Sequence, residues 1–225
     1  MNGSSGEPVS EARASFVDLV VNPRAFFEAL DPKPVNLLFP GLIVLVTGVI
    51  GAVTAYQMSA VLMDAMALPG IEGLGGVVGA VGAIGALITT LLAWVIYTAV
   101  FFVVSMAFRG SGEFNRLLSY VGYGHVPQVI GGIVSTVLTW NFVSNLRIPT
   151  LTDPEAVQEW SATLTQDPTM QAATIISLLF MLWSANIWIF GVRQARNLST
   201  RDAAITVLVP VLIYLLASVV PMLVT

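Results

Sequence analysis

The sequence contains no cysteine, a single histidine and a single lysine, and only 10% of its residues are charged. Soluble proteins average roughly 25%. Without cysteine there is no disulfide, no thiolate nucleophile and no Cys-ligated metal or iron–sulfur centre, and nothing marks a redox compartment. With His125 alone, a metal site would need carboxylates, and the long apolar runs contain none. No HExxH, P-loop or strand-borne GxGxxG is present. GLGGVVGAVG lies inside an apolar run and reads as a packing face. Neither a metal nor a cofactor is expected. A net charge of −4 leaves no basic footprint for nucleic acid.

What the chain has in abundance is apolar length. Hydrophobic residues make up 56% of 225, in blocks that reach the ~20 residues needed to cross a bilayer core. The expected fold is all-α: a polytopic membrane protein built as a bundle of five transmembrane helices with short interfacial helices. Residues 1–34 form a polar N-terminal segment of mixed charge, so no secretory leader is expected. Residues 35–225 form the membrane domain, with spans at about 37–56, 77–108, 118–143, 172–192 and 203–224. Ser59 to Leu68 is too short to span and is placed at the outer surface.

Local signals refine this plan. Asn22-Pro23, Asp153-Pro154 and Asp167-Pro168 each read as a helix cap followed by proline in the first turn. After the first, Phe26, Phe27 and Leu30 share one helical face, expected to lie in the membrane interface; packing on the protein's own loops is the alternative. Val157, Trp160 and Leu164 suggest a second surface helix. Gly79 and Gly82 belong to a small-residue stripe that lets helices approach closely. The stripe is assigned to packing within the chain, with a homo-oligomer as the alternative. Pro210 is expected to kink the last span.

Charge sets the orientation. Arg13, Arg24, Lys33, Arg109, Arg116, Arg193, Arg196 and Arg201 fall on one side of a five-span chain, and Arg147 alone on the other. By the positive-inside rule the N-terminus is cytoplasmic, the C-terminus is outside, and the protein resides in the cell membrane. One lysine against eight arginines, with abundant Ala, Gly and Val, fits a GC-rich prokaryotic genome.

The stretch Arg109–Gly132, RGSGEFNRLLSYVGYGHVPQVIGG, carries the histidine at a point where the chain re-enters apolar surroundings. Gly124 and Pro127 break the helix there. Phe114, Leu117 and Leu118 are expected to rest on the membrane. His125 is read as a cap, with a proton switch as the alternative because an unperturbed imidazole titrates near ~6.5. Gly110-Ser111-Gly112 reads as a flexible turn rather than a nucleophile motif. Asn186 is the polar residue expected to hydrogen-bond between helices, and substrate binding is its competing role.

The same stretch, through Gly112, Phe114, Leu117, Gly122-Tyr123-Gly124 and Pro127, resembles the membrane domain of the Ypt/Rab-interacting protein (YIP) family. NPRAFFEAL before the first span and the five-span plan extend the resemblance over residues 20–224. It implies a non-enzymatic membrane protein of the partner-binding class; eukaryotic relatives act in vesicle traffic with Rab-type GTPases. The expected function is therefore a membrane scaffold or adaptor. Its contacts with lipid, with other membrane proteins or with a cytoplasmic protein are assigned to Phe26, Phe27, Arg109, Arg116, Tyr123, His125, Arg193 and Arg196. A small-molecule or lipid transporter is the alternative.

Overall fold

A computed structural model describes residues 15–66 and 74–224 of the chain. Among these there are nine helices: α1 (Phe16–Val21), α2 (Pro23–Leu30), α3 (Leu38–Ala65), α4 (Gly75–Met106), α5 (Phe114–Tyr123), α6 (Val126–Asn145), α7 (Pro154–Gln166), α8 (Pro168–Arg196) and α9 (Thr200–Val224). Five stretches are long and apolar enough to cross a membrane: α3, α4, α5 with α6 taken together, α8 and α9. The protein is an all-α, multi-pass membrane protein.

The proline-bearing starts form as their chemistry dictates. Asn22 Oδ1 accepts from the Ala25 amide at 3.3 Å, Asp153 Oδ1 from Glu155 at 3.0 Å and Asp167 Oδ1 from Thr169 at 2.7 Å. Each cap supplies an oxygen to an amide that no preceding turn can reach.

Three elements depart from the expected layout. α3 runs unbroken to Ala65, so the part of Ser59 to Leu68 that is described continues the first span instead of lying on the surface; Ala67 and Leu68 fall outside the described residues. α5 does not rest on the membrane. Leu117, Tyr120 and Val121 are fully or almost fully buried, because the apolar face of α5 turns onto α3, α4 and α8. α2 likewise docks on the protein: Phe26 and Phe27 are buried against Tyr123 and Tyr120, with ring centroids 5.3 and 4.8 Å apart. An apolar stripe needs cover, and protein covers these two.

α3 and α4 form a long antiparallel pair. Gly79 lies against Tyr56, where an added Cβ would come within 2.9 Å of its carbonyl oxygen, and Gly82 lies against Ser59. The glycine stripe thus serves a contact within the chain. α6 packs on α3 and α8, and α9 closes the ring against α8 and α4. α9 passes through Pro210 as one helix.

The buried core is concentrated at one end. Leu19, Phe27, Phe101, Leu117, Tyr120, Trp188, Val192 and Val207 belong to one cluster, at the end that also holds Arg109, Arg193 and Arg201. Gly79→Leu should lower the thermal midpoint in detergent, at a cost of about 1–3 kcal/mol from forced separation of α3 and α4. Gly85→Leu, whose added Cβ meets nothing within 4 Å, should leave the midpoint unchanged.

Candidate functional site

The arginine-rich end is assembled from the α4–α5 loop, the α8–α9 loop and α1–α2. At its centre Arg196 is only 3% exposed. Its guanidinium donates to Ser105 Oγ at 2.9 Å, to Gly110 O at 2.7 Å and to Gly112 O. Its planar face lies over Phe102, 4.1 Å from the ring centroid. None of these partners is a carboxylate. The charge is met by backbone and hydroxyl dipoles and by the negative face of an aromatic ring, an arrangement that suits a planar donor fork and not a point charge.

Around this guanidinium the loop is fixed, which corrects the flexible-turn reading of Gly110-Ser111-Gly112. α4 ends in a Schellman-type cap, with Gly110 N bonded to Ser105 O and Arg109 N to Met106 O. Arg109 occupies the left-handed position usually taken by glycine, at φ 59°. Gly112 has φ +119°, and a Cβ there would collide with the Ala195 carbonyl, so no side chain fits. Ser111 N donates to Arg196 O at 2.9 Å, and Asn197 Nδ2 to Ser111 Oγ at 3.2 Å.

A second set of ties joins α2 and its linker to the bundle. Arg116 donates to Asp31 O at 2.6 Å, and Ser119 Oγ donates to Asn36 O at 2.9 Å. Glu28 receives Arg24 at 2.9 Å and Arg193 at 3.4 Å. The hydrogen bond from Arg24 holds the Glu28 carboxyl below its ordinary value; burial opposes this, and Arg193 adds to the lowering.

Behind this end, the helix break predicted at Gly124 and Pro127 is present between α5 and α6. Pro127 has no amide hydrogen, and carbonyls next to a break inside lipid must find donors within the protein. Val121 O receives three: the Gly124 amide at 3.1 Å, Trp188 Nε1 at 2.8 Å and His125 Nδ1 at 3.1 Å. Trp94 Nε1 donates to Leu118 O at 2.9 Å. Gly124 is obligatory for close approach, since a Cβ there would overlap the Trp188 indole. His125 therefore caps a carbonyl through its side chain, and its ring meets Trp188 edge-on at 5.4 Å.

Of the eight residues expected to make external contacts, only Arg109 is exposed. Phe26, Phe27, Tyr123 and His125 are buried and Arg196 is the internal clamp; Arg116 and Arg193 are half-covered and paired. Asn186 faces out of the bundle, whereas Ser184, two residues before it, is fully enclosed with no hydrogen-bond partner among the described residues. A shift of two positions turns a helical side chain by ~200°, enough to exchange inside for outside. Sequence reasoning missed Trp94 and Trp188 as the donors to the break. Their signal was an indole N–H within an apolar run, which needs an acceptor when buried.

The family model described as the Yip1 domain matches residues 17–220. An uncharacterized protein of Methanocaldococcus jannaschii is 27% identical over 126 residues, covering 56% of this chain and 89% of its own length. No solved structure matches the chain.

Arg196→Leu strands three acceptors and should destabilise the bundle by about 2–4 kcal/mol, with faster tryptic cleavage after Arg109 as the loop is released. Arg196→Lys, one compact charge facing a three-acceptor cradle, should restore only part of this. For Glu28 the lowered carboxyl fixes the sign. Its small contribution is complete above the ordinary value of 4.5 and is lost as pH falls through the lowered folded value. Thermal midpoints of the wild type and E28Q should therefore converge on acidification.

Proposed function

The chain belongs to the Yip1 domain family, and from that premise we propose that it is a non-catalytic membrane adaptor whose arginine-rich end faces the cytoplasm and docks a protein partner. The N-terminus is then inside and the C-terminus outside, as the distribution of arginines favours. The observation that supports docking is the rigidity of that end. The buried Arg196 guanidinium fastens the α4–α5 loop to the end of α8, so the exposed Arg24, Lys33, Arg109 and Arg201 stand on a fixed frame. A preorganised surface spends less entropy on ordering when a partner arrives.

Transport is the competing reading and would need a passage through the bundle. Asn186, the polar candidate for such a path, points outward. Phe101 and Trp188 are fully buried, with centroids 5.7 Å apart, across the arginine-rich end. These features favour a plug there over a pore.

The charge reversals R109E and R201E, made together, test the adaptor reading because neither side chain makes a described hydrogen bond or ion pair to the frame, although the Arg109 backbone belongs to the cap of α4. Arg116 is a poor choice, since its loss would free the Asp31 linker. In native membranes the double variant should lose protein crosslinks several-fold while its thermal midpoint stays unchanged. Full retention of every crosslinked partner would overturn the reading. Loss of binding to anionic vesicles alone, with protein crosslinks intact, would mark the end as a lipid contact instead.

A further inference from the structure

At mid-span, ringed by α3, α4, α6, α8 and α9, lies a cleft of about 640 Å3. That is within the roughly 300–1,000 Å3 typical of small-molecule sites. Among the described residues its lining contains no Asp, Glu, Lys or Arg, so none of them balances an ion or a phosphate. It is nevertheless rich in hydroxyls. Most of these are already committed: Thr54 to Thr136 at 2.9 Å, Ser135 to Ser177 at 2.9 Å and Thr90 to Ala86 O at 2.9 Å.

The end of the cleft nearest the α5–α6 break differs. His125 lines it while only 3% exposed. Its Nδ1 faces Val121 O, and because a carbonyl oxygen only accepts, Nδ1 carries the hydrogen. A neutral ring then offers Nε2 as an acceptor. Nε2 has no partner among the described hydrogen bonds, and it is not one of the fully enclosed unpartnered atoms, which belong to Gln57 and Ser184. With Nδ1 turned to Val121 O and His125 among the residues that line the cleft, Nε2 is the ring nitrogen we assign to that space. Gln128, three residues on and hence on the same helical face, donates its amide nitrogen to Met181 Sδ at 3.5 Å and keeps Oε1 as a second acceptor. Two acceptors line the cleft, and none of its hydroxyls is bonded to either among the described hydrogen bonds. Elsewhere the cleft opens toward the lipid side of the bundle, where its lining residues Thr89, Ser177 and Tyr214 are exposed.

We propose that this cleft binds a neutral lipid alcohol: an uncharged membrane-borne molecule whose hydroxyl donates to His125 Nε2 or Gln128 Oε1 and whose hydrocarbon leaves past Thr89, Ser177 and Tyr214. Each property of the site selects for one property of the ligand. The missing charge excludes ions and phosphate heads, the two acceptors require a donor, and the lateral opening accepts a chain continuous with the bilayer. The mid-span cleft is separate from the arginine-rich end, so lipid binding here is independent of partner docking there.

The test uses the full chain in phosphatidylcholine nanodiscs, with a diacylglycerol carrying a diazirine in one acyl chain and a matched diazirine phosphatidylcholine as control. The diacylglycerol should label α6 and α8 peptides that line the cleft, and excess unlabelled diacylglycerol should compete, while the control labels only the outer lipid-facing surface. Gly51 lines the cleft, and a Cβ added there meets nothing within 4 Å. Gly51→Leu should therefore fill space without clashing and cut labelling about tenfold. His125→Asn keeps an amide hydrogen for Val121 O but lacks the Nε2 acceptor, and should cut labelling about fivefold. Thermal midpoints report whether each variant is folded, and if one is not, the other together with the competition decides. Equal labelling by the two lipids, or cleft labelling indifferent to both substitutions, overturns the proposal.

Discussion

One buried guanidinium orders the arginine-rich end. Arg196 lies on the last turn of α8, yet its acceptors are on the end of α4 and in the loop after it. A charge in so enclosed a place is costly unless every donor is used. Once the fork is satisfied, the loop has little choice of path. Gly112 must pass against the Ala195 carbonyl with φ near +119°, and Ser111 must pair with Arg196 O. The direction in which α5 leaves that loop is set there. α5 then lays Leu117, Tyr120 and Val121 into the core, and the position of the break before α6 follows.

The break is the second constraint, and lipid makes it strict. In water an interrupted helix can leave its carbonyls to solvent; inside a bilayer they need protein donors. Trp188 and Trp94 supply indole hydrogens to Val121 O and Leu118 O, and the room for Trp188 comes from the missing side chain of Gly124. Both tryptophans are also hydrophobic bulk, with Tyr97 and Phe101 each 5.7 Å from Trp188. The same residues therefore satisfy the break and fill the core.

What could be read from sequence divides along physical lines. The caps at Asn22, Asp153 and Asp167 were legible because the interaction is local, spanning two or three residues and needing no knowledge of neighbours. Span number was legible because hydrocarbon thickness sets a length. Direction was not. Phe26, Phe27 and Leu117 satisfy an amphipathic pattern whether the apolar face meets lipid or protein, since both are equally dry. Asn186 and Ser184 both sit among apolar residues in one run, and only the azimuth of α8 in the bundle separates the exposed one from the buried one. Arg196 has the composition of a loop marker, like Arg193 and Arg201, and nothing local shows that its side chain turns inward. His125 reads as a cap from its place before Pro127, but its carbonyl, Val121 O, is identifiable only once the break has a geometry.

The separation of charge from hydroxyl groups bears on mechanism. The described charged side chains sit toward the ends of the bundle, where they meet water, one another or backbone dipoles. Among the described residues, the mid-span cleft is lined by hydroxyls, an amide and an imidazole and by no formal charge. A Ser or Thr in a membrane helix can return its hydrogen to the carbonyl one turn back, as Thr47 and Thr90 do at 3.0 and 2.9 Å, so a hydroxyl lining by itself implies no ligand. Acceptors differ, because no backbone carbonyl can satisfy them and helix amides are already used by the helix. An imidazole nitrogen and a carboxamide oxygen lining a cleft are therefore atoms that a ligand can complete, unlike the enclosed Gln57 and Ser184 side chains, and the complement they call for is a hydrogen-bond donor small enough to enter and apolar enough to arrive through lipid.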